Sequence, residues 1–426
     1  MTAVIGILNK SAVALAADSA VTISGNNGRK IFNTANKIFT LSKYHPVGIM
    51  IYSSASLMST PWETIIKIYR QKLIDKSFPT IKDYQNDFVE FLRGSHYFTT
   101  IETQKIYFES LVQMTIKEVN KKTWSVLEKE TKKSIESLSD DSEFLKIFIQ
   151  KITDTLNDSK NEGDLCEDFK SYSFEDFYSF SHEVIKKALK EIFSDYLTDD
   201  LTAAANQYFY QFIRSTNFNL GSTGLVFAGF GDNEIYPSIC SIEVGEIFDN
   251  KIRYLFKDED KISDDCDGII IPYAQIDVIK TIIEGINPYL EQTYIQTFAD
   301  FMYKYNEQII DIIEGTNTDL ATKLKNLNIE NIVTKFAESL QKVKIEDHIN
   351  PTVETVATLS KEDLAEMAES MIYLTYLKRR ISFAEESVGG PVDVALISKT
   401  DGFIWIKRKH YFKPELNQHF ITNYFN

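Results

Sequence analysis

A hydroxyl, a carboxylate and an ammonium stand within the first forty residues, as Thr2, Asp18 and Lys37. With Met1 removed, Thr2 would carry a hydroxyl and a free α-amine on one residue, so that nucleophile and base come together. An α-amine has a pKa of roughly 7.7 to 8.0 and accepts a proton near neutrality. A buried lysine beside the hydroxyl would stabilise developing negative charge, and a carboxylate such as Asp18 would keep that ammonium charged. The chemistry implied is attack on a carbonyl carbon, an acyl-enzyme ester, and hydrolysis of that ester by water.

Such groups need strands to hold them. Residues 3–8 and 12–17 are short apolar runs joined by Asn9-Lys10, a hairpin-like connection. A second pair, 37–41 and 47–52, follows the polar turn Gly25-Asn26-Asn27-Gly28. Their near-continuous apolar character predicts burial on both faces of a sheet. At Thr60-Pro61-Trp62-Glu63 the spacing predicts a capping box with Pro at the first helical position. Helical periodicity then runs, with breaks, to about residue 215, including 174–197.

Strands return at 224–230 and 235–244 around Gly231-Asp232-Asn233. Residues 258–267, DEDKISDDCD, read as an acidic loop; the glycine that a calcium loop needs at its sixth position is missing. Helices are predicted over about 274–345 and 360–384, the second opening with Ser360 and Asp363 in capping spacing. The chain closes with a hairpin of 391–398 and 402–406 around Lys399-Thr400-Asp401-Gly402. Strands and helices are therefore segregated, which predicts an α+β fold with helices layered on antiparallel sheets and argues against alternating βαβ units.

Of the 426 residues, 43% are hydrophobic and 25% charged, the balance of a globular protein. The 46 basic and 61 acidic side chains give a net charge of −15 with no long basic run, which excludes nucleic acid as an expected partner. Cys166, Cys240 and Cys266 have neither disulfide-framework nor zinc spacing, and the six histidines form no paired ligand pattern, so no metal and no cofactor are expected. No window reads as a signal peptide or membrane span, and a reducing cytoplasm is the expected location.

The order and spacing of Thr2, the segment 16–22 (AADSAVT) and Lys37-Ile38-Phe39 resemble the proteasome β-subunit and HslV group of N-terminal-nucleophile (Ntn) hydrolases. Further similarity lies in 224–230 (GLVFAGF), with Tyr236 and 239–242, and in 389–397 (GGPVDVALI). The resemblance implies a four-layer αββα sandwich, one domain over 1–412 with core segments at about 2–70, 218–290 and 365–412. Helical insertions then occupy about 95–215 and 295–360, and 413–426 form a tail.

By the same resemblance Thr2 is the nucleophile, Asp18 orients the lysine, and Lys37 lowers the proton affinity of the hydroxyl. Lys30 is a competing register for the lysine, but Asn36-Lys37-Ile38-Phe39 lies better relative to the following strand. Thr22 and Met50 are implied at the substrate groove. Glu385 and Ser387 are implied as supports, although a glutamate stands for the family's aspartate and the serine falls one position early. Where the family has glycines at the end of the strand after the lysine, this chain has 50–54, MIYSS.

The implied activity is a threonine-type peptidase acting on peptide or protein substrates, in a homo-oligomer that an ATPase or another regulator could serve. The alternatives are a noncatalytic scaffold or binding subunit, and an Ntn hydrolase of small amides.

Overall fold

The computed structural model describes residues 2–25, 28–94, 98–131, 142–158, 163–218, 221–382, 388–410, 412–419 and 422. It is an α+β protein built on two five-stranded antiparallel sheets. The strands are β1 (Val4–Asn9), β2 (Ala12–Ala17), β3 (Val21–Gly25), β4 (Gly28–Phe32), β5 (Ile38–Thr40), β6 (Val47–Ser53), β7 (Ser56–Leu57) and β8 (Thr60–Pro61). They continue with β9 (Thr223–Gly229), β10 (Ser238–Phe248), β11 (Lys251–Lys261), β12 (Gly268–Ala274), β13 (Asp393–Ser398) and β14 (Gly402–Lys407). The first sheet has the order β12-β1-β2-β13-β14, and the second β11-β10-β9-β6-β5.

Side chains of a strand alternate between faces, and here each face meets a different apolar layer. Val4, Leu8, Val13 and Leu15 of the first sheet share one cluster with Ile38, Met50, Val226 and Ile239 of the second. The opposite face of the first sheet, with Ile5, Ile7 and Ala14, packs on Ile279, Val356, Leu364 and Ile372. Those side chains come from helices α7 (Ile276–Glu284), α11 (Asn350–Thr358) and α12 (Lys361–Ile381). The opposite face of the second sheet, with Ile49, Ile51 and Phe227, meets Trp62, Tyr69 and Phe88 of α1 (Trp62–Leu73) and α2 (Ile81–Arg93).

A separate aromatic cluster lies within α3 (Ile101–Thr131), α4 (Ser142–Asp158), α5 (Phe174–Phe193) and α6 (Asp199–Arg214), and Phe248 of β10 joins it to the second sheet. Helices α8 (Pro288–Glu314), α9 (Thr318–Lys325) and α10 (Ile329–Val343) lie between α7 and α11 in the chain.

Gly48 and Gly229 are among the glycines that permit close approaches. A Cβ at Gly48 would lie 2.8 Å from Ile397 Cδ1 across the inter-sheet space. Gly229 has φ +137°, and a Cβ there would sit 2.0 Å from the Pro46 carbonyl oxygen. Gly229→Ala should therefore destabilise the fold by about 2–4 kcal/mol through backbone strain and displacement of the 46–47 segment. Gly315, with nothing within 4 Å of its Cβ position, is the control expected to stay close to wild type. Denaturant unfolding of the two alanine variants checks the difference.

Several local expectations are corrected. Pro61 does not open α1: it ends the two-residue strand β8 and takes the N-cap place without a side-chain cap, because Thr60 and Pro61 pair with Leu57 and Ser56. Residues 258–261 are not loop but the end of β11, an edge strand whose charges face solvent, where they hinder further pairing. Strand β12 precedes the helices expected from 274. Ser360 does cap its helix, accepting from the Asp363 amide.

Candidate functional site

Register brings the ends of four strands to one place. Val4 pairs with Ala17, so the residues just before β1 lie against the residue just after β2. The Asp18 amide donates to the Ala3 carbonyl at 3.1 Å, and the Ala3 amide donates back to Asp18 Oδ1 at 2.9 Å. Asp18 Oδ2 accepts from the Ala20 and Gly389 amides, each at 3.1 Å. Lys37, immediately before β5, donates from Nζ to Asp18 Oδ1 at 2.6 Å and to the Ala20 carbonyl at 2.7 Å. One carboxylate thus links the Thr2–Ala3 peptide, the turn after β2, the Gly389 segment and the ammonium.

The whole arrangement is dry: Thr2 is 5% exposed, Asp18 1% and Lys37 3%. A buried ion pair is tolerable only when its remaining donors and acceptors are met, and Asp18 meets this with three backbone amides. Burial pushes the Lys37 ammonium below the usual lysine range, and Asp18 opposes that shift. Lys409 pushes it further down, whereas Asp393 pushes it up.

Asp393 and Lys409 form a second pair that sequence reasoning missed. Asp393 opens β13 opposite Ala17, one residue from Asp18, and is 2% exposed. It accepts from the Lys409 amide at 2.9 Å through Oδ1 and from Lys409 Nζ through Oδ2. The available signal was an aspartate at the second position of the apolar run Val392–Ile397, where a buried charge needs a partner.

The other candidates divide. Lys30, on β4, is exposed and lies over the Phe32 ring, so the lysine on Asp18 is Lys37. Thr22 lies in β3 opposite Ile31. Met50 has no exposed surface: alternation along β6 turns its side chain into the inter-sheet cluster. Glu385 and Ser387 lie outside the described residues.

The chain between β6 and β8 is unusual. Ser53, in the stretch where the resemblance leads one to expect glycine, has φ +69°, and Met58 and Ser59 have φ +45° and +72°. Non-glycine residues in this region carry strain, which concentrates at functional sites. A cavity of about 310 Å³ borders the same segment, lined by Ser54, Leu57, Met58, Tyr107, Met114 and Glu246 among others. Its lining begins at Ser54, three residues after Ile51, whose amide donates to the Lys37 carbonyl at 2.8 Å.

Among the described residues no group of three or more His, Cys, Asp or Glu could hold a metal ion, and no helix is long and apolar enough to cross a membrane.

Two solved structures are similar in extent but not closely superposable. A Gly-1 mutant of Anbu from Hyphomicrobium sp. strain MC1 is 8% identical, with 99% of this chain and 94% of that chain covered at a TM-score of 0.28. Anbu, an ancestral beta-subunit, from Yersinia bercovieri is 9% identical, with 99% and 93% covered and a TM-score of 0.28. Likeness at that level carries no weight for the site, which rests on its own geometry. No family model matches the chain, and no curated protein sequence matches it.

Proposed function

We propose that this chain is a threonine amidohydrolase of the Ntn type, cleaving peptide bonds through Thr2 after removal of Met1. The observation that carries the reading is the single carboxylate, Asp18, tied both to the Thr2–Ala3 peptide and to Lys37. In this reading the two sheets and their flanking helices form a four-layer αββα sandwich within one domain, and the helices of about 95–215 and 295–360 are insertions.

The steps follow from the groups present. The Thr2 α-amine takes the proton of Oγ as Oγ attacks the carbonyl carbon, forming an ester and releasing an amine that receives that proton. Water activated by the Thr2 α-amine then attacks the ester, restoring Oγ–H and releasing the acid. The buried Lys37 ammonium lowers the energy of developing charge at Oγ. The segment after β6 is the candidate for the oxyanion donor. The neighbouring 310 Å³ cavity is the candidate recess for a substrate side chain.

The test is turnover of a panel of peptide amides and small acyl-amides by wild type and by Thr2→Ala. Peptide hydrolysis lost in the variant supports the reading, and hydrolysis unaffected by the substitution contradicts it.

The pH profile gives a second handle. Activity should rise as the α-amine loses its proton, through roughly pH 7.7–8.0. It should fall on the alkaline side as Lys37 deprotonates, below the 10.5 of an ordinary lysine because burial lowers its proton affinity. Lys409→Met removes a cation that pushes Lys37 down, so its alkaline limb should move to higher pH. Asp393→Asn removes an anion that pushes Lys37 up, so its limb should move to lower pH. Alkaline limbs that coincide with wild type in both variants would contradict the coupling.

A further inference from the structure

The clearest unassigned site lies far in sequence from Thr2, within the helical cluster of residues 101–214. A cavity of about 800 Å³ opens between α4, α5 and α6. Its wall combines the aromatic faces of Phe174 and Tyr178 with the carboxylates of Asp199 and Asp200, and no lysine or arginine is among the described residues lining it. Asn206 lines the same wall and is 2% exposed.

The amide of Asn206 is oriented by its own helix. Nδ2 donates to the Thr202 carbonyl at 2.7 Å, and the flipped amide would set two acceptors against each other. Oδ1 is therefore the free end, and it is buried with no donor. Nδ1 of His182, also on the wall, is buried without a partner, while its Nε2 lies 3.2 Å from the Tyr178 hydroxyl and the two rings stack at 4.2 Å. Buried polar atoms left unmatched are costly, and in a roomy polar cavity a guest with the right donors can meet them.

We propose that this cavity binds a small organic cation of the linear-amine class. An ammonium supplies the donor that Asn206 Oδ1 lacks and is balanced by Asp199 and Asp200. The methylene stem lies along Phe174 and Tyr178, whose ring faces favour a cation. An anion is disfavoured, because the two carboxylates already occupy the positive end of α6.

This inference is independent of the hydrolase reading, and its test does not use hydrolysis. Isothermal titration of the full chain with spermidine should give saturable binding, whereas 1,8-octanediol, an uncharged chain of similar length, should give none. Asn206→Leu and the pair Asp199→Asn with Asp200→Asn should each weaken spermidine by about tenfold, the scale of one charge-assisted hydrogen bond. The aspartates are exposed, so the second variant is expected to fold. No saturable heat up to millimolar spermidine overturns the proposal. So does a loss confined to the aspartate variant with Asn206→Leu, folded by circular dichroism, binding as wild type, since that pattern describes amine on an acidic surface. Equal binding of the diol overturns it as well.

Discussion

Asp18→Ala is expected to lower the stability of the fold by about 3–5 kcal/mol, the largest effect of any substitution at the candidate site. The side chain is 1% exposed and accepts from Ala3, Ala20, Gly389 and Lys37. Its loss leaves three buried amides without their acceptor and the Lys37 ammonium without its counter-charge, with only the Ala20 carbonyl still accepting from it; removing one partner of a buried pair costs about that amount because the other charge stays behind. Lys37→Met should cost less, since Asp18 would keep its three amides. Asp18→Asn combined with Lys37→Met should recover part of the loss, because neither charge then remains buried alone. Urea unfolding of the four proteins measures this order. An Asp18→Ala variant within about 1 kcal/mol of wild type would mean that the carboxylate is not the tie between these segments.

Thr2→Ala should abolish turnover, by at least about a thousandfold, while leaving the fold intact. Only a hydroxyl and a methyl are lost, and the peptide tie to Asp18 is made by the Ala3 amide, which the substitution keeps. Thr2→Ser, which retains both hydroxyl and amine, should keep a measurable fraction. Retention of Met1 should silence the enzyme as completely as Thr2→Ala, because the amine would then be an amide nitrogen with no base strength. Rates measured beside thermal unfolding separate these chemical losses from misfolding. A chain that keeps Met1, confirmed by intact mass, and turns over at the wild-type rate would exclude the mechanism.

Much of this was legible in the sequence because the signals were local. The apolar runs of β1 and β2 have every residue buried, as their unbroken character predicted. The hairpin of β13 and β14 turns at the expected Lys399–Gly402. What was missed lies at sheet edges, where local signals fail. Strand β11 ends in Lys257–Lys261, a charge run that reads as loop yet suits a solvent-facing edge. Strand β12 carries Pro272, a residue that marks turns in sequence but is tolerated at the edge of a sheet.

At the site the same division holds. Lys37 was separable from Lys30 by its setting before a strand. The side chain of Met50 could not be placed from sequence because both faces of β6 are covered: Met50 enters the inter-sheet cluster, while Ile49 and Ile51 enter the cluster under α1 and α2. Asp393 drew no role because its partner, Lys409, comes sixteen residues later, and only the pairing of β13 with β2 brings them to Asp18.

The most direct test of the account is peptide mapping after treatment with a peptide epoxyketone, which can bond to a hydroxyl and an amine only when both belong to one terminal residue. The account predicts a single adduct, on an N-terminal peptide beginning at Thr2, lost in Thr2→Ala and sharply reduced in Lys37→Met. An adduct on another residue, or no adduct on a chain shown to begin at Thr2, would contradict it.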